Sequence, residues 1–208
     1  MIITGSGSKA FVAGADISEI ISFNIGEGKA LAQAGHDVFN EIENSTKPII
    51  AAVNGFALGG GCELAMACHL RVPSDNAKFG QPEVNLGLIA GYGGTQRLTQ
   101  YIGKSKSLEL HLTADIITAE QALQLGLVNY ITTQEQLMPK CMELAEKIKT
   151  KSPTAIKSVI ATINAYYTEG MNGFKIEVDE FGKCFGTEDF KEGTKAFIEK
   201  RKPVFTGK

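Results

Sequence analysis

The chain has 208 residues, 43% apolar and 21% charged, a composition that supports a buried core and excludes disordered and collagen-like chains. Its 21 Lys and Arg against 23 Asp and Glu give a formal net charge of −2. Without a basic excess, neither nucleic acid nor an anionic membrane is an expected partner. Cys62, Cys68, Cys141 and Cys184 lack paired short spacing and predict reduced, buried thiols of a cytoplasmic protein rather than a disulfide frame. The uncharged stretch from Pro48 to Cys62 is shorter than a membrane span.

Met1 runs directly into Ile2-Ile3-Thr4, read as a strand, with Gly5-Ser6-Gly7 as its turn. No targeting leader is expected there, and a strand at the first residue leaves its edges uncovered, which hints at an absent upstream element. Lys29 to Asn44 carries Leu31, Ala34, Val38, Phe39 and Ile42 at helical spacing. Ile49 to Val53 is a wholly apolar strand, expected to be covered on both faces. After Gly59-Gly60-Gly61, a helix is predicted over Cys62 to Cys68 and a strand over Leu70 to Val72. Lys78-Phe79-Gly80 and Glu83-Val84-Asn85 follow, separated by turn residues.

From Gly93 onward helices dominate, with one strand-like break expected at Leu127 to Ile131. Thr118 with Gln121, Thr133 with Gln136, and Ser152-Pro153 mark helix starts. Two helices, near 154–167 and 171–185, carry apolar faces (Ile156, Val159, Ile160, Ile163; Phe174, Val178, Phe181, Phe185) for which little β structure remains as a partner. Another subunit is expected to meet part of that area.

Three glycines ahead of a helix expose N–H groups that no intrahelical carbonyl reaches. Gly59 to Gly61 therefore read either as an oxyanion site or as a tight turn. No Lys-Ser or Lys-Thr follows them, and no G-x-G-x-x-G joins a strand to a helix, which sets aside the common nucleotide loops. Glu63 sits in an otherwise apolar helix, where it is either a first-turn acid favoured by the helix dipole or a functional group. Glu83 follows 20 residues later. If the two carboxylates met in a poorly hydrated cleft, one pKa would rise and an acid and a base would coexist near neutral pH. His36, His69 and His111 are too scattered for a metal set, so no metal is expected. Cys62 reads as packing rather than as a nucleophile.

The segments Phe11-Val-Ala-Gly-Ala-Asp-Ile17, Lys47 to Leu64, Phe79-Gly-Gln-Pro-Glu83 and Gly93-Gly-Thr-Gln-Arg-Leu98 together resemble the enoyl-CoA hydratase (crotonase) family. The likeness continues from Leu112 to Val128 and to Ala196-Phe-Ile-Glu-Lys-Arg-Lys202. The resemblance implies an α/β fold, a spiral of β-β-α units over residues 1–112 followed by an α-helical oligomerisation region over 113–208. It implies trimers, or dimers of trimers, that act on acyl-CoA thioesters without a cofactor beyond the substrate's own coenzyme A. By the same resemblance Glu63 and Glu83 are the catalytic pair, Ala15 and Gly60 supply the oxyanion hole, and Gly91 supports the water and carboxylate arrangement. Ala13, Asp16, Ile17, Phe197 and Lys200 match substrate-binding positions. Hydration of a short trans-2-enoyl-CoA is the implied reaction. The alternatives are a Δ3,Δ2-enoyl-CoA isomerase, with one glutamate at the Glu83 position, and an inactive assembly protein.

Relative to the family pattern, the segment that normally precedes the first strand is expected to be absent from this chain. His69 stands where many members have aspartate, Ala90 stands where proline is frequent, and Tyr92 is expected to pack rather than to shape the acyl pocket.

Overall fold

The computed structural model describes residues 1–208. Packing divides the chain into two compact units, residues 1–43 with 49–141 and residues 44–48 with 142–208.

The first unit is a spiral. Strand β1 (Ile2–Thr4) and β2 (Ala10–Val12) are followed by helices α1 (Ile17–Ile20) and α2 (Ile25–Glu43). The next turn is β3 (Ile50–Val53), β4 (Phe56–Leu58) and α3 (Gly60–Ala67), and a third begins with β5 (Leu70–Pro73) and β6 (Lys78–Gly80). Each turn gives one strand to each of two sheets. β1, β3 and β5 form a parallel sheet in which Ile2 pairs with Ile50 and Ile50 with Leu70. β2, β4 and β6 run parallel in the other, closed by a short antiparallel strand β7 (Ile117–Thr118). This is the β-β-α spiral implied by the resemblance.

All four residues of β3 are buried, as a central parallel strand requires. Alanines at 51, 52, 57 and 65 are fully buried, and such small side chains allow strand and helix backbones to approach closely. The approach is closest at Gly61, where a Cβ would run into the Val12 carbonyl. Where the chain crosses from one sheet to the other, the buried Asn54 holds the 5–10 loop. Its Oδ1 accepts from the Gly5 N–H at 3.0 Å, and its Nδ2 donates to Gly7 O at 2.7 Å and to Gly5 O and Ala10 O, each at 3.2 Å. Arg71 closes the far end of α3, donating to Cys68 O at 2.5 Å and Leu127 O at 2.7 Å while stacking on Tyr101.

Beyond β6 come a 3-10 turn (Glu83–Leu86), helices α4 (Gly94–Ile102) and α5 (Lys104–Thr113), β7, and α6 (Ala119–Gln124). Thr118 and Gln121 form the expected capping box. Pairing of β7 with β6, and the burial of Leu127 and Val128 in the same core, tie residues after 113 into the spiral unit.

One expected element is corrected. Residues 127–131 form no strand. The segment lies along β5, with Asn129 N–H donating to Arg71 O at 2.9 Å, but the Arg71 N–H goes to the Asn129 side chain. A side-chain acceptor there replaces the main-chain carbonyl that a ladder would use, and only an isolated bridge, Ser74 to Thr132, forms.

Helix α7 (Leu137–Lys149) spans the division between the units, and α8 (Pro153–Tyr166), α9 (Gly173–Cys184) and α10 (Glu188–Ile198) follow. Ser152 caps α8 with Pro153 in its first turn, as the sequence indicates. α8 and α9 pack on each other, yet Phe174 is 82% and Phe181 67% exposed. The one buried acid of this unit, Asp189, accepts from Ser152 Oγ at 2.7 Å and from the amides of Thr206 and Gly207 at 2.8 and 3.0 Å. No helix is long and apolar enough to cross a membrane.

Candidate active site

Gly59 takes a conformation, φ 53 and ψ −125, that favours glycine, and turns the chain from β4 into α3. Gly60 begins the helix, so its N–H has no carbonyl within α3 to bond. On the neighbouring strand, Gly14 (φ +110) lies against Leu58, with its Cβ position 3.5 Å from the Leu58 carbonyl. Residues 13–16 thus leave β2 as an exposed segment, with Gly14 beside the end of β4. That segment holds Ala13, Ala15 and Asp16. Asp16 caps α1, accepting from Ser18 N–H at 2.9 Å and Ser18 Oγ at 2.6 Å, bonds that hold its carboxyl below the usual range. Ile17 opens α1 and is exposed.

Glu63, one turn into α3, is 1% exposed. Its Oε1 accepts from Gly94 N–H at 2.7 Å and Tyr92 N–H at 2.8 Å, which seats the carboxylate on the amino end of α4, where the helix dipole favours negative charge. Gly94 must be glycine for this. A Cβ there would lie 2.9 Å from Glu63 Oε1 and 2.7 Å from the Gln81 amide. Burial raises the Glu63 pKa, the Gly94 and Tyr92 amides oppose that rise, Glu83 adds to it and Arg97 opposes it.

Glu83 heads the 3-10 turn and is half-buried, with burial raising its pKa as well. The side-chain amide of the buried Gln81 faces the Glu83 carboxylate; with its oxygen and nitrogen exchanged, the nitrogen donates at 2.9 Å to Oε1 and 3.2 Å to Oε2. Both glutamates face the same glycine turn. The Cβ position of Gly59 is 3.0 Å from Glu83 Oε1, and that of Gly60 is 4.0 Å from Glu63 Oε2. Cys62 lies beneath them, its thiol pushed up to about 12 by burial against an opposing backbone hydrogen bond at Gly80, so it stays protonated and packs.

The Tyr92 ring stands edge-on to Phe39 at 5.6 Å between centroids and lies 3.3 Å from the Cβ position of Gly60. It packs as expected and also forms a wall of the turn. Beside Gly91 the space is open, since a Cβ there meets nothing within 4 Å. Phe197 and Lys200 belong to the second unit, at the carboxyl end of α10, where Phe197 is 85% exposed and Lys200 has φ 54. Glu63, Glu83 and Gly60 are therefore brought together in the first unit, with the Ala15 segment beside the adjoining strand end.

Sequence reading does not single out Gln81, Arg97 or the Tyr92 and Gly94 amides. The available signal was Gly93-Gly94 before α4, the same glycine-then-helix pattern as at Gly59 to Gly61.

Fold and site define a protein of the crotonase class, a β-β-α spiral with one buried and one half-buried carboxylate around a glycine turn. The chain belongs to the enoyl-CoA hydratase/isomerase family, whose model matches residues 1–208. It is 48% identical to the crotonyl-CoA hydratase of Syntrophomonas wolfei, covering 100% of this chain and 80% of that protein. It is also 48% identical to the short-chain-enoyl-CoA hydratase of Clostridium acetobutylicum, covering 97% of this chain and 78% of that one. Among solved structures, an enoyl-CoA hydratase from Bacillus anthracis superposes with a TM-score of 0.93 at 37% identity, over 100% of this chain and 81% of its own.

Proposed function

We propose that the chain is an enoyl-CoA hydratase, adding water to short trans-2-enoyl-CoA thioesters to give 3-hydroxyacyl-CoA and catalysing the reverse dehydration. The observation that carries this reading is the convergence of Glu63 and Glu83, in unlike surroundings, on one glycine turn. Water addition needs two proton-handling groups around one water, whereas a double-bond shift manages with one. The names of the relatives at 48% identity support the same reaction and a short acyl chain.

In this reading the N–H groups of Ala15 and Gly60 bond the thioester oxygen, where enolate charge builds as the carbonyl draws electrons from the double bond. Loss of one such donor costs about 3 kcal/mol in the barrier. Glu63, its pKa raised by burial as that of Glu83 is but with two amides supporting its carboxylate form, takes a proton from water as the oxygen bonds to Cβ. Glu83, with its raised pKa, delivers a proton to Cα. The product gains one oxygen and two hydrogens, the atoms of one water; the step leaves Glu63 protonated and Glu83 ionised, and transfer of that proton from Glu63 back to Glu83 through solvent restores both, so the balance needs no oxidant or reductant. The open space beside Gly91 offers room for the water, and Ala13, Asp16 and Ile17 border the thioester.

The exposed aromatic face of α9 supports a homo-oligomer, a trimer or dimer of trimers, in which Phe197 and Lys200 reach the acyl-CoA of an adjacent subunit. Four free cysteines are compatible with a reducing, cytoplasmic location.

Glu63→Gln and Glu83→Gln, assayed with crotonyl-CoA, test the reading. Each is expected to lower kcat by a factor of about 100 or more. Native turnover in either variant, or turnover of 3-enoyl but not 2-enoyl thioesters by the native chain, overturns it. A chain that binds no acyl-CoA while still assembling points to the assembly protein instead.

A further inference from the structure

We propose that Arg97 is a positioning residue for Glu63: its guanidinium clamps the Tyr92 carbonyl, and so fixes the turn whose two amides hold the carboxylate. This rests on the reading of Glu63 as the base that activates water.

Arg97 lies on the first turns of α4 and is buried. Its Nη1 donates to Tyr92 O at 2.9 Å. That carbonyl belongs to the peptide lying between the two peptides whose N–H groups bond Glu63 Oε1. The other side of the fork reaches α2, where Nη2 donates to Asn40 Oδ1 and Glu43 Oε2, each at 2.8 Å, and Nε donates to Glu43 Oε2 at 3.2 Å. One planar group thus ties α2 to the 92–94 turn from inside the protein. Gly93, at φ +98, leaves the guanidinium its space, because a Cβ there would collide with Arg97. The clamp leaves Glu63 Oε2 as the oxygen directed at the Gly60 turn.

Lysine cannot reproduce this geometry, since a single ammonium does not span the carbonyl and the α2 partners. Arg97 is also the cation nearest in effect to Glu63 and favours its ionised form. The ionisable groups packed around this corner are Glu83 on the 3-10 turn, Tyr92, the neutral Cys62 on α3, and Glu43 and His36 on α2, with His36 3.5 Å from the Cβ position of Gly93.

The test is crotonyl-CoA hydration as a function of pH for the native chain, R97Q, R97K, E63Q and E63Q/R97Q. R97Q is expected to lower kcat by about 10- to 100-fold with KM little changed, the range a displaced catalytic group produces. Its acidic limb should move to higher pH, because Glu63 loses a favourable cation. R97K should keep the native limb while recovering only part of kcat, which a merely structural arginine does not predict. Added to E63Q, R97Q should cost nothing further in residual turnover. An R97Q enzyme with native kcat and native pH profile, or an equal loss in both backgrounds, overturns the proposal while leaving the hydratase reading intact. Native turnover in E63Q overturns the hydratase reading itself. If R97Q does not fold, E43A removes the Glu43 tether and retains the cation; it should lower kcat without moving the limb, and a native kcat in E43A, with R97K also native, overturns the clamp.

Discussion

Helices α3 and α9 show two opposite uses of apolar surface. α3 buries six of its eight residues, Glu63 among them, whereas none of the twelve residues of α9 is buried. A helix sealed inside its own unit leaves its single charge no water to fall back on. That charge must be answered locally, here by two amides of α4 and by Arg97. A helix that presents Phe174, Val178 and Phe181 to the outside answers to whatever covers it. In the proposed reading the compensated acid of α3 serves the chemistry and the open aromatic face of α9 serves assembly.

The contrast can be broken first at Asn54, which holds the sheet crossing of the first unit from inside. Asn54→Ala leaves the Gly5 amide and the Gly7 carbonyl without their partner, and should cost about 3 kcal/mol, read as a shift of the urea midpoint. A change below about 0.5 kcal/mol would show that the spiral does not depend on this stitch. A smaller effect of opposite sign is expected at Glu63. Its folded pKa is raised above the ordinary carboxyl value of 4.5, so the native state holds its proton more tightly than the unfolded chain, and stability is lost as pH rises through the folded value. Glu63→Gln removes that loss while keeping an acceptor for both amides. It should raise Tm near neutral pH, with the gain closing below about pH 4.5. A variant less stable than native at neutral pH contradicts the assignment of burial as the dominant cause.

The smallest stability effect belongs to α9. Phe174→Glu with Phe181→Glu should change the stability of the chain by no more than about 0.5 kcal/mol, yet lower its mass in sedimentation equilibrium from an oligomer to a monomer. An unchanged mass separates the aromatic face from assembly.

Much of this contrast is legible in the sequence. The unbroken apolar run at Ile50–Val53, the glycines before α3 and the lone acid in an apolar helix all depend on neighbours a few residues away, and local patterns report local physics. The family resemblance supplied the pairing of Glu63 with Glu83, which spacing alone left open. What escaped notice depends on distant chain segments meeting. The seat for Glu63 is made by main-chain amides of Tyr92 and Gly94, and backbone donors carry no residue-type signature. Arg97 reads as an ordinary helix cation until α2 is folded against it. The strand expected at 127–131 failed because the Asn129 side chain takes the hydrogen bond that a ladder requires, and the two-residue β7 is too short to leave a periodic trace.

The most direct measurement is a double-mutant cycle on turnover of crotonyl-CoA with Glu63→Gln, Glu83→Gln and the pair together. If both side chains serve one water molecule in one step, removing the second after the first has little left to destroy, and the pair should be no slower than the worse single variant by more than a few-fold. Losses that multiply across the cycle would mean that the two acids act independently, and would contradict the shared site.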